Sequence, residues 1–359
     1  MRKIFPTLLT LLCGSACAED AVQLYGRLNL GLESLQNDSA HDSTHIARLS
    51  NNRSVLGFRG QEDLGGGVTV LFQIEGTLSP DTGAGSPAAR DTRIGISGAA
   101  GTLFAGNWVT PYNGATAGLD PFYPTTAGYM SIMGNGAAAS VSNTSDTASF
   151  DRRQQNSVHY WTPVWNGLQL RVAQGVSEEC PANGAKPSLS SGALVYEQGD
   201  WYAIAAYERH HEYQGAGLND SAAKLAAAYR IGDTRVALAA ERLRYQSAAG
   251  TLERNDVYLS LTHQIGRHGF KLGLGHAGDG SGSAPDGTTI GFVRKGAETG
   301  ATHATIGYDY SFSKRSAAYA YYSHLSNRRN GITDFAINSL GASAGATLKG
   351  VVLGWRHNF

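Results

Sequence analysis

The sequence predicts an all-β protein: a transmembrane antiparallel β-barrel of about sixteen strands with one loop folded into its lumen. Three observations predict it. Strand-length segments alternate apolar and polar residues with period two along nearly the whole chain. Their connections alternate between tight turns and longer polar segments. Aromatic residues gather near segment ends, where a membrane interface holds them.

Composition agrees. Of 359 residues 46 are glycine and 17 tyrosine, and only 16% are charged, a mixture that favours strands and turns. Residues 1–18 read as an export signal: Arg2 and Lys3, the apolar run "IFPTLLTLL", then Ala16 and Ala18 at the small-residue positions before Glu19. Lipidation at Cys17 is the weaker reading, because Gly14 stands where a branched apolar residue is expected. Cleavage leaves residues 19–359 as one barrel domain with 27 basic and 29 acidic residues, so no basic excess points to nucleic acid. Cys180 is then the one thiol, and no disulfide framework is expected. No apolar run after residue 18 approaches the roughly 20 residues a membrane helix needs.

The first strand, "AVQLYGRLNLGLESL", sets Val22, Leu24, Leu28, Leu30 and Leu32 against Gln23, Tyr25, Arg27, Asn29 and Glu33. Val68, Val70, Phe72 and Ile74 then oppose Thr69, Gln73 and Glu75, and Leu168, Leu170 and Val172 oppose Gln169 and Arg171. Leu225, Ala227, Tyr229 and Ile231 oppose Lys224 and Arg230; Val257, Leu259 and Leu261 oppose Tyr258, Ser260 and Thr262. Phe270, Leu272 and Leu274 oppose Lys271, and Ile306, Tyr308, Tyr310 and Phe312 oppose Thr305, Asp309 and Ser311. The chain ends on "VVLGWRHNF", with Val351, Leu353, Trp355, His357 and Phe359 on one face. Tight turns such as "DLGGG", "IGDT" and "IGRHG" mark one end of the meander; "QNDSAHDSTHIARLSNN", "GDGSGSAPDGTTIGFVRKGAETG" and "NRRNGITDFAINSLGASAG" are expected as long loops at the other.

The competing fold is a soluble β-sandwich, whose strands would show the same alternation. The loop asymmetry and the aromatic strand ends (Tyr310, Phe312, Tyr319, Tyr321, Trp355, Phe359) favour the membrane barrel, whose polar face needs no packing partner.

Four stretches, "VLGFRGQEDLGGGVTVLFQIEG", "SVHYWTP", "YDYSFSKRSAAYAYYSHL" and "LGWRHNF", resemble those of the general porins of Gram-negative outer membranes, the trimeric sixteen-stranded type. With the first strand the resemblance runs from Leu24 to Phe359. It implies periplasmic turns, extracellular loops, passive diffusion of ions and small hydrophilic solutes, and no cofactor. It also implies a homotrimer surrounded by outer-membrane lipid and lipopolysaccharide. Phe359 would be the signal read by the outer-membrane assembly machinery.

The segment from about Thr110 to Phe150 departs from the strand pattern and resembles the family's third loop, which narrows the barrel. The family opposes basic wall residues to acids on or near that loop. Matching "LGFRG", "GISG" and "YWTP" puts basic positions at Val55, Arg90 and Arg153 and an acid at Glu75. Val55 departs from the pattern, but Arg53 lies two residues earlier on the same face. Asp120 is the candidate loop acid. Alternation supports Arg53, Glu75 and Arg153 independently; for the fourth strand it places Arg93 in the lumen and leaves Arg90 to the resemblance, unless a bulge or bend intervenes. Were Arg27, Arg53, Arg59, Arg90 and Arg153 to converge, the pore would prefer small anions.

Adjacent His210 and His211 point to opposite faces of a strand, which argues against a shared metal. A hydrolase is the second hypothesis, but the histidines are scattered and no nucleophile motif accompanies them. A substrate-specific channel would need an aromatic track, for which Tyr25 and Tyr258 are too few.

Overall fold

The computed structural model describes residues 22–39, 43–128 and 131–359; the expected export signal lies outside them. Sixteen antiparallel strands close into a barrel. They are β1 (Gln23–Asp38), β2 (Ser43–Asn51 and Ser54–Asp63), β3 (Thr69–Ser79), β4 (Ala84–Ser86 and Thr92–Gly98) and β5 (Gly101–Val109). After a long loop come β6 (Asp151–Trp161), β7 (Leu168–Gly175), β8 (Ser188–Gln198), β9 (Trp201–His211), β10 (Asn219–Ile231) and β11 (Thr234–Ser247). The circuit ends with β12 (Gly250–Ile265), β13 (His268–Ala277), β14 (Ala301–Ser311), β15 (Ser316–Asn327) and β16 (Thr347–Asn358).

Closure explains why the chain finishes on an apolar strand. β16 pairs with β1 over twelve positions, from Arg27↔Asn358 to Asp38↔Thr347. Phe359 ends the seam with two reciprocal backbone bonds: its N–H donates to Gly26 O at 3.0 Å, and Gly26 N–H donates to Phe359 O at 3.1 Å. With every ladder paired, hydrocarbon can cover the outside without orphaning backbone groups. The residues assigned to the greasy face do point outward: Leu28, Leu32, Leu170, Leu225, Leu259 and Leu353 are all exposed. At the short-turn end Trp201 meets Tyr229 at 4.4 Å and Phe312 stacks on Trp355 at 4.8 Å, as an interfacial girdle requires.

Two sequence expectations about connections are corrected. Most of "QNDSAHDSTHIARLSNN" is strand: β1 runs to Asp38 and β2 begins at Ser43, because polar residues extend the ladder above the lipid, where both faces are wet. At the same end β11 and β12 are joined by Ala248 and Ala249 alone, so the loop side is not uniformly long. The "DLGGG" turn does need its glycines, since Gly65, Gly66 and Gly67 all have φ between 63° and 79°.

One glycine is required by close approach. On β16, a Cβ at Gly354 would lie 2.0 Å from Tyr319 Cζ. Tyr319 is held there, donating to Asn29 Oδ1 at 2.8 Å and accepting from Asn52 Nδ2 at 3.1 Å. Gly354→Val is expected to displace the phenol and cost about 1–3 kcal/mol by overpacking. The check is a lower temperature for loss of the folded barrel band on gels, with Gly350 untouched as the internal comparison.

The 110–150 segment folds inside the barrel. Its described residues include a helical turn α1 (Pro111–Gly114), the short 3-10 turns Ala117–Leu119 and Met133–Asn135, and a five-residue strand (Ala137–Val141) that runs parallel to β6. The reason it lies where it does is the inner wall opposite. On β8 to β11 that wall is largely alanine (Ala193, Ala206, Ala222, Ala226, Ala237, Ala239), and Tyr112, Leu119, Ile132, Met133 and Phe150 of the loop fill the space those small side chains leave.

Candidate functional site

Loop and wall are locked together by side chains of β9 to β14. Glu241 on β11 accepts from Tyr112 Oη at 2.7 Å and from the N–H of Gly134, so one carboxylate grips the loop at its start and near its middle. Lys224 on β10 reaches Thr116 Oγ1 at 3.3 Å, Asp151 Oδ1 at 3.2 Å and Glu241 Oε2 at 3.4 Å. Ser260 donates to Leu119 O at 2.7 Å, Arg254 to Ile132 O at 2.8 Å, Lys271 to Pro121 O at 2.9 Å and Thr305 to Ala127 O at 3.1 Å. The loop also meets the inner faces of β1 to β6: Thr126 donates to Glu33 Oε1 on β1, and Asn107 on β5 donates to Ser140 Oγ at 2.8 Å.

Those inner faces carry the arginines. Arg53 sits where β2 breaks between Asn51 and Ser54, with φ of 55°; the bulge turns its side chain inward, and Nη1 donates to Tyr123 Oη of the loop at 3.3 Å. Arg27 Nη2 donates to Arg53 O at 2.8 Å, tying the bulge to β1. Arg90 lies in the bend between Ser86 and Thr92, where the chain leaves the ladder. That bend lets Arg90 and Arg93 both reach the interior despite their odd spacing. Arg90 Nε donates to Glu75 Oε1 at 2.8 Å, and Glu75 Oε2 accepts from Tyr25 Oη at 3.1 Å. Arg153, on β6, donates to Asp91 Oδ1 at 2.7 Å and to Ala139 O of the loop at 2.6 Å.

Arg59 and Arg93 lie toward the short-turn end, in one row with Gln23 and Gln73. Arg59 Nε donates to Gln23 Oε1 at 2.9 Å and its guanidinium lies 5.0 Å from the Tyr25 ring. Arg93 stacks among Trp108 (4.1 Å), Phe104 (4.6 Å) and Trp161 (5.5 Å).

Asp120 is placed elsewhere. It accepts from Tyr258 Oη at 3.0 Å and from the N–H of Phe122 at 3.0 Å, on the β12–β14 wall where Lys271 and Asp309 pair at 2.6 Å. The inward tyrosines Tyr25 and Tyr258 therefore each hold a carboxylate. Val55 faces inward and is buried.

Two residues of the arginine cluster escaped the sequence reading. Asp91, in "RDTR", was adjacent to a named arginine and could have been found as its counter-charge. Tyr123, in "DPFYP", carried no signal, because its role depends on the loop's path. Burial pushes the Tyr123 phenol up, but the positive charge of Arg53, Arg90 and Arg153 outweighs it and holds the pKa below the ordinary tyrosine value.

Known proteins agree with this architecture. A family model described as "Gram-negative porin" matches residues 7–330. "Outer membrane porin protein 32" of Delftia acidovorans is 24% identical over 357 residues, 96% of each chain. "Major outer membrane protein P.IB" of Neisseria lactamica is 24% identical over 86% of this chain and 89% of that one. Among solved structures, "Anion-selective porin from Comamonas acidovorans" superposes with a TM-score of 0.79 at 22% identity, over 95% of this chain and all of that one. A closed barrel with a greasy exterior, a polar interior and an in-folded loop is the architecture of a channel through which solutes diffuse across the outer membrane. The chain belongs to the Gram-negative porin family, as a multi-pass outer-membrane channel and not an enzyme.

Proposed function

We propose that this porin prefers small anions, that the 110–150 loop forms its constriction, and that Arg27, Arg53, Arg59, Arg90, Arg93 and Arg153 are the basic wall acting on the passing ion. One observation carries the reading: Arg53 donates to Tyr123 Oη and Arg153 to Ala139 O, both on the loop, and Arg27 is bonded to the backbone of Arg53. Around them Glu75 and Asp91 are the carboxylates, two against six guanidiniums. Low-dielectric walls focus such a surplus into the passage and raise the local anion concentration. The match to a porin titled anion-selective supports the same sign. Asp120, held on the far wall, has the smaller part in this scheme. The test is the reversal potential of single channels in a potassium chloride gradient, where the sign for anion preference is expected and the opposite sign refutes the proposal.

Tyr123 adds a pH dependence. While protonated it is neutral; above its lowered pKa it becomes an anion among the arginines, and anion preference should fall. This decline is expected below the pH at which an ordinary tyrosine ionises, and Tyr123→Phe should remove it. Reversal potentials recorded from neutral to alkaline pH in both proteins check this, and identical profiles would remove Tyr123 from the scheme.

The working unit we infer is a homotrimer, in keeping with the family resemblance, and Phe359 is proposed as the residue read by the assembly machinery. Trp355 and Leu353 share its outward face at the seam, so Phe359→Ala leaves the β1–β16 ladder its backbone bonds. A severalfold drop in assembled protein in cells, with normal refolding in detergent, separates a targeting role from a structural one.

A further inference from the structure

Toward the short-turn end the inner wall carries arginines in a different setting from those beside the loop. Arg59, Arg93 and Arg171 lie on the inward faces of β2, β4 and β7, since their neighbours Phe58, Ile94, Leu170 and Val172 are the exposed, lipid-facing residues. Beside the loop, Arg90 and Arg153 each donate Nε to a carboxylate. Arg59 Nε donates instead to the amide of Gln23 at 2.9 Å, and Arg171 Nε to that of Gln169 at 2.7 Å. Both Nη groups of each, which can grip a carboxylate edge-on, are thus left without a protein partner among the described residues. Arg93 Nε and Nη1 lie buried against rings with no hydrogen-bond partner, which leaves Nη2 to meet a solute.

Aromatic rings hold all three guanidiniums. Arg59 lies 5.0 Å from the Tyr25 ring. Trp161 is flanked by Arg171 at 4.9 Å and Arg93 at 5.5 Å, and Arg93 also sits 4.1 Å from Trp108. Gly106, the cross-strand partner of Arg93, stands between Phe104 and Trp108 in β5 and puts no side chain in the way. Gln23, Arg59, Gln61, Leu71, Gln73 and Arg93 line a hollow of about 420 Å³ at this level, within the range of small-molecule sites.

Exposed arginines in water hold a simple ion weakly. A carboxylate that carries a flat ring gains more. Gripped edge-on it is coplanar with the guanidinium, so its own ring extends in the layer beside Tyr25 or Trp161, where π surface already lies. We propose that Arg59, Arg93 and Arg171, with Tyr25, Trp108 and Trp161, form a lumen subsite for aromatic carboxylates on the short-turn side of the constriction. The proposal deepens the anion reading above and rests on it. Because the site is open to the lumen, its ligand can leave as readily as it enters, as conduction requires.

The test is block of single-channel current by potassium benzoate, with the purified protein in a planar bilayer and potassium chloride on both sides. Benzoate should halve the current at a concentration at least about tenfold lower than acetate, which lacks the ring, or cyclohexanecarboxylate, which lacks the flat π face. Arg171→Gln should abolish that advantage. Trp161→Leu should bring benzoate to the level of cyclohexanecarboxylate while acetate stays where it was, and Trp161→Phe should retain most of the difference. If Trp161→Leu fails to fold, Arg171→Gln still decides. The reversal potential in potassium chloride alone is read first. A cation-preferring wild type refutes the anion reading and the subsite with it, whereas an anion-preferring wild type that benzoate blocks no better than acetate overturns the subsite alone. Unchanged benzoate block in Arg171→Gln would also overturn it, by placing the binding at the constriction.

Discussion

Arg53→Glu combined with Arg59→Glu is expected to abolish the anion preference of the channel. Both arginines belong to the proposed basic wall, and neither is a partner in the Arg90–Glu75 and Arg153–Asp91 pairs. The exchange leaves Arg27, Arg90, Arg93 and Arg153 opposed by Glu75, Asp91 and two new carboxylates. A unit charge roughly 6 Å from an ion in water contributes about 0.7 kcal/mol, so the change of two charges at each of these heights alters the energy of an ion passing it by on the order of 1.4 kcal/mol, about a factor of ten, before screening. The Debye length of about 10 Å at 0.1 M salt exceeds that separation and trims the effect without erasing it. The anion-to-cation permeability ratio should therefore fall at least about tenfold, and the reversal potential should move close to zero. A barrel that folds, conducts and keeps its reversal potential would place selectivity outside this cluster, at the extracellular mouth. Arg53→Ala alone should give a smaller shift of the same sign, in keeping with the removal of one charge.

How much of this was legible beforehand follows from what alternation can encode. Period two fixes a side chain's face only while the strand stays in register, so Leu225 against Lys224, or Leu353 against Arg356, read correctly from the sequence. Where the ladder breaks, the rule loses its footing. Arg53 lies in a bulge and Arg90 in a bend, and both reach the interior through backbone geometry that neighbouring residues do not announce. Resemblance supplied Arg90 where alternation pointed to Arg93 alone; the bend admits both. Loop contacts were the least legible. Nothing in "DPFYP" told that Tyr123 would meet Arg53 while Asp120, three residues earlier, would turn to Tyr258, because that difference depends on which wall the loop packs against. The clue to that wall was present but unread: the inward positions of β8 to β11 are mostly alanine, and a face of small side chains inside a wide barrel leaves space that some other segment must fill.

The alanine wall supplies space for the loop, but Lys224 supplies the lock, and its removal is the second large effect expected. Its ammonium, fully buried, lies between the carboxylates of Asp151 and Glu241 and 4.1 Å from the Tyr112 ring. Lys224→Met would leave those two carboxylates facing each other without a counter-charge. Breaking a buried network by deleting one partner costs about 3–5 kcal/mol. The sixteen-strand ladder does not run through this group, so the cost should fall on the loop, whose start and middle are both held by Glu241. Expected results are noisy, larger single-channel currents and cleavage within residues 110–150 by added protease, from a barrel that still migrates as folded without heating. The triple change Lys224→Met, Asp151→Asn and Glu241→Gln removes the whole charge set and should recover most of the quiet conductance, since a neutral replacement of a buried ionic network is far less costly than half of one. If Lys224→Met conducted as quietly as the wild type, the loop would owe its position to packing against alanine alone, and the three-charge contact would be incidental to the pore.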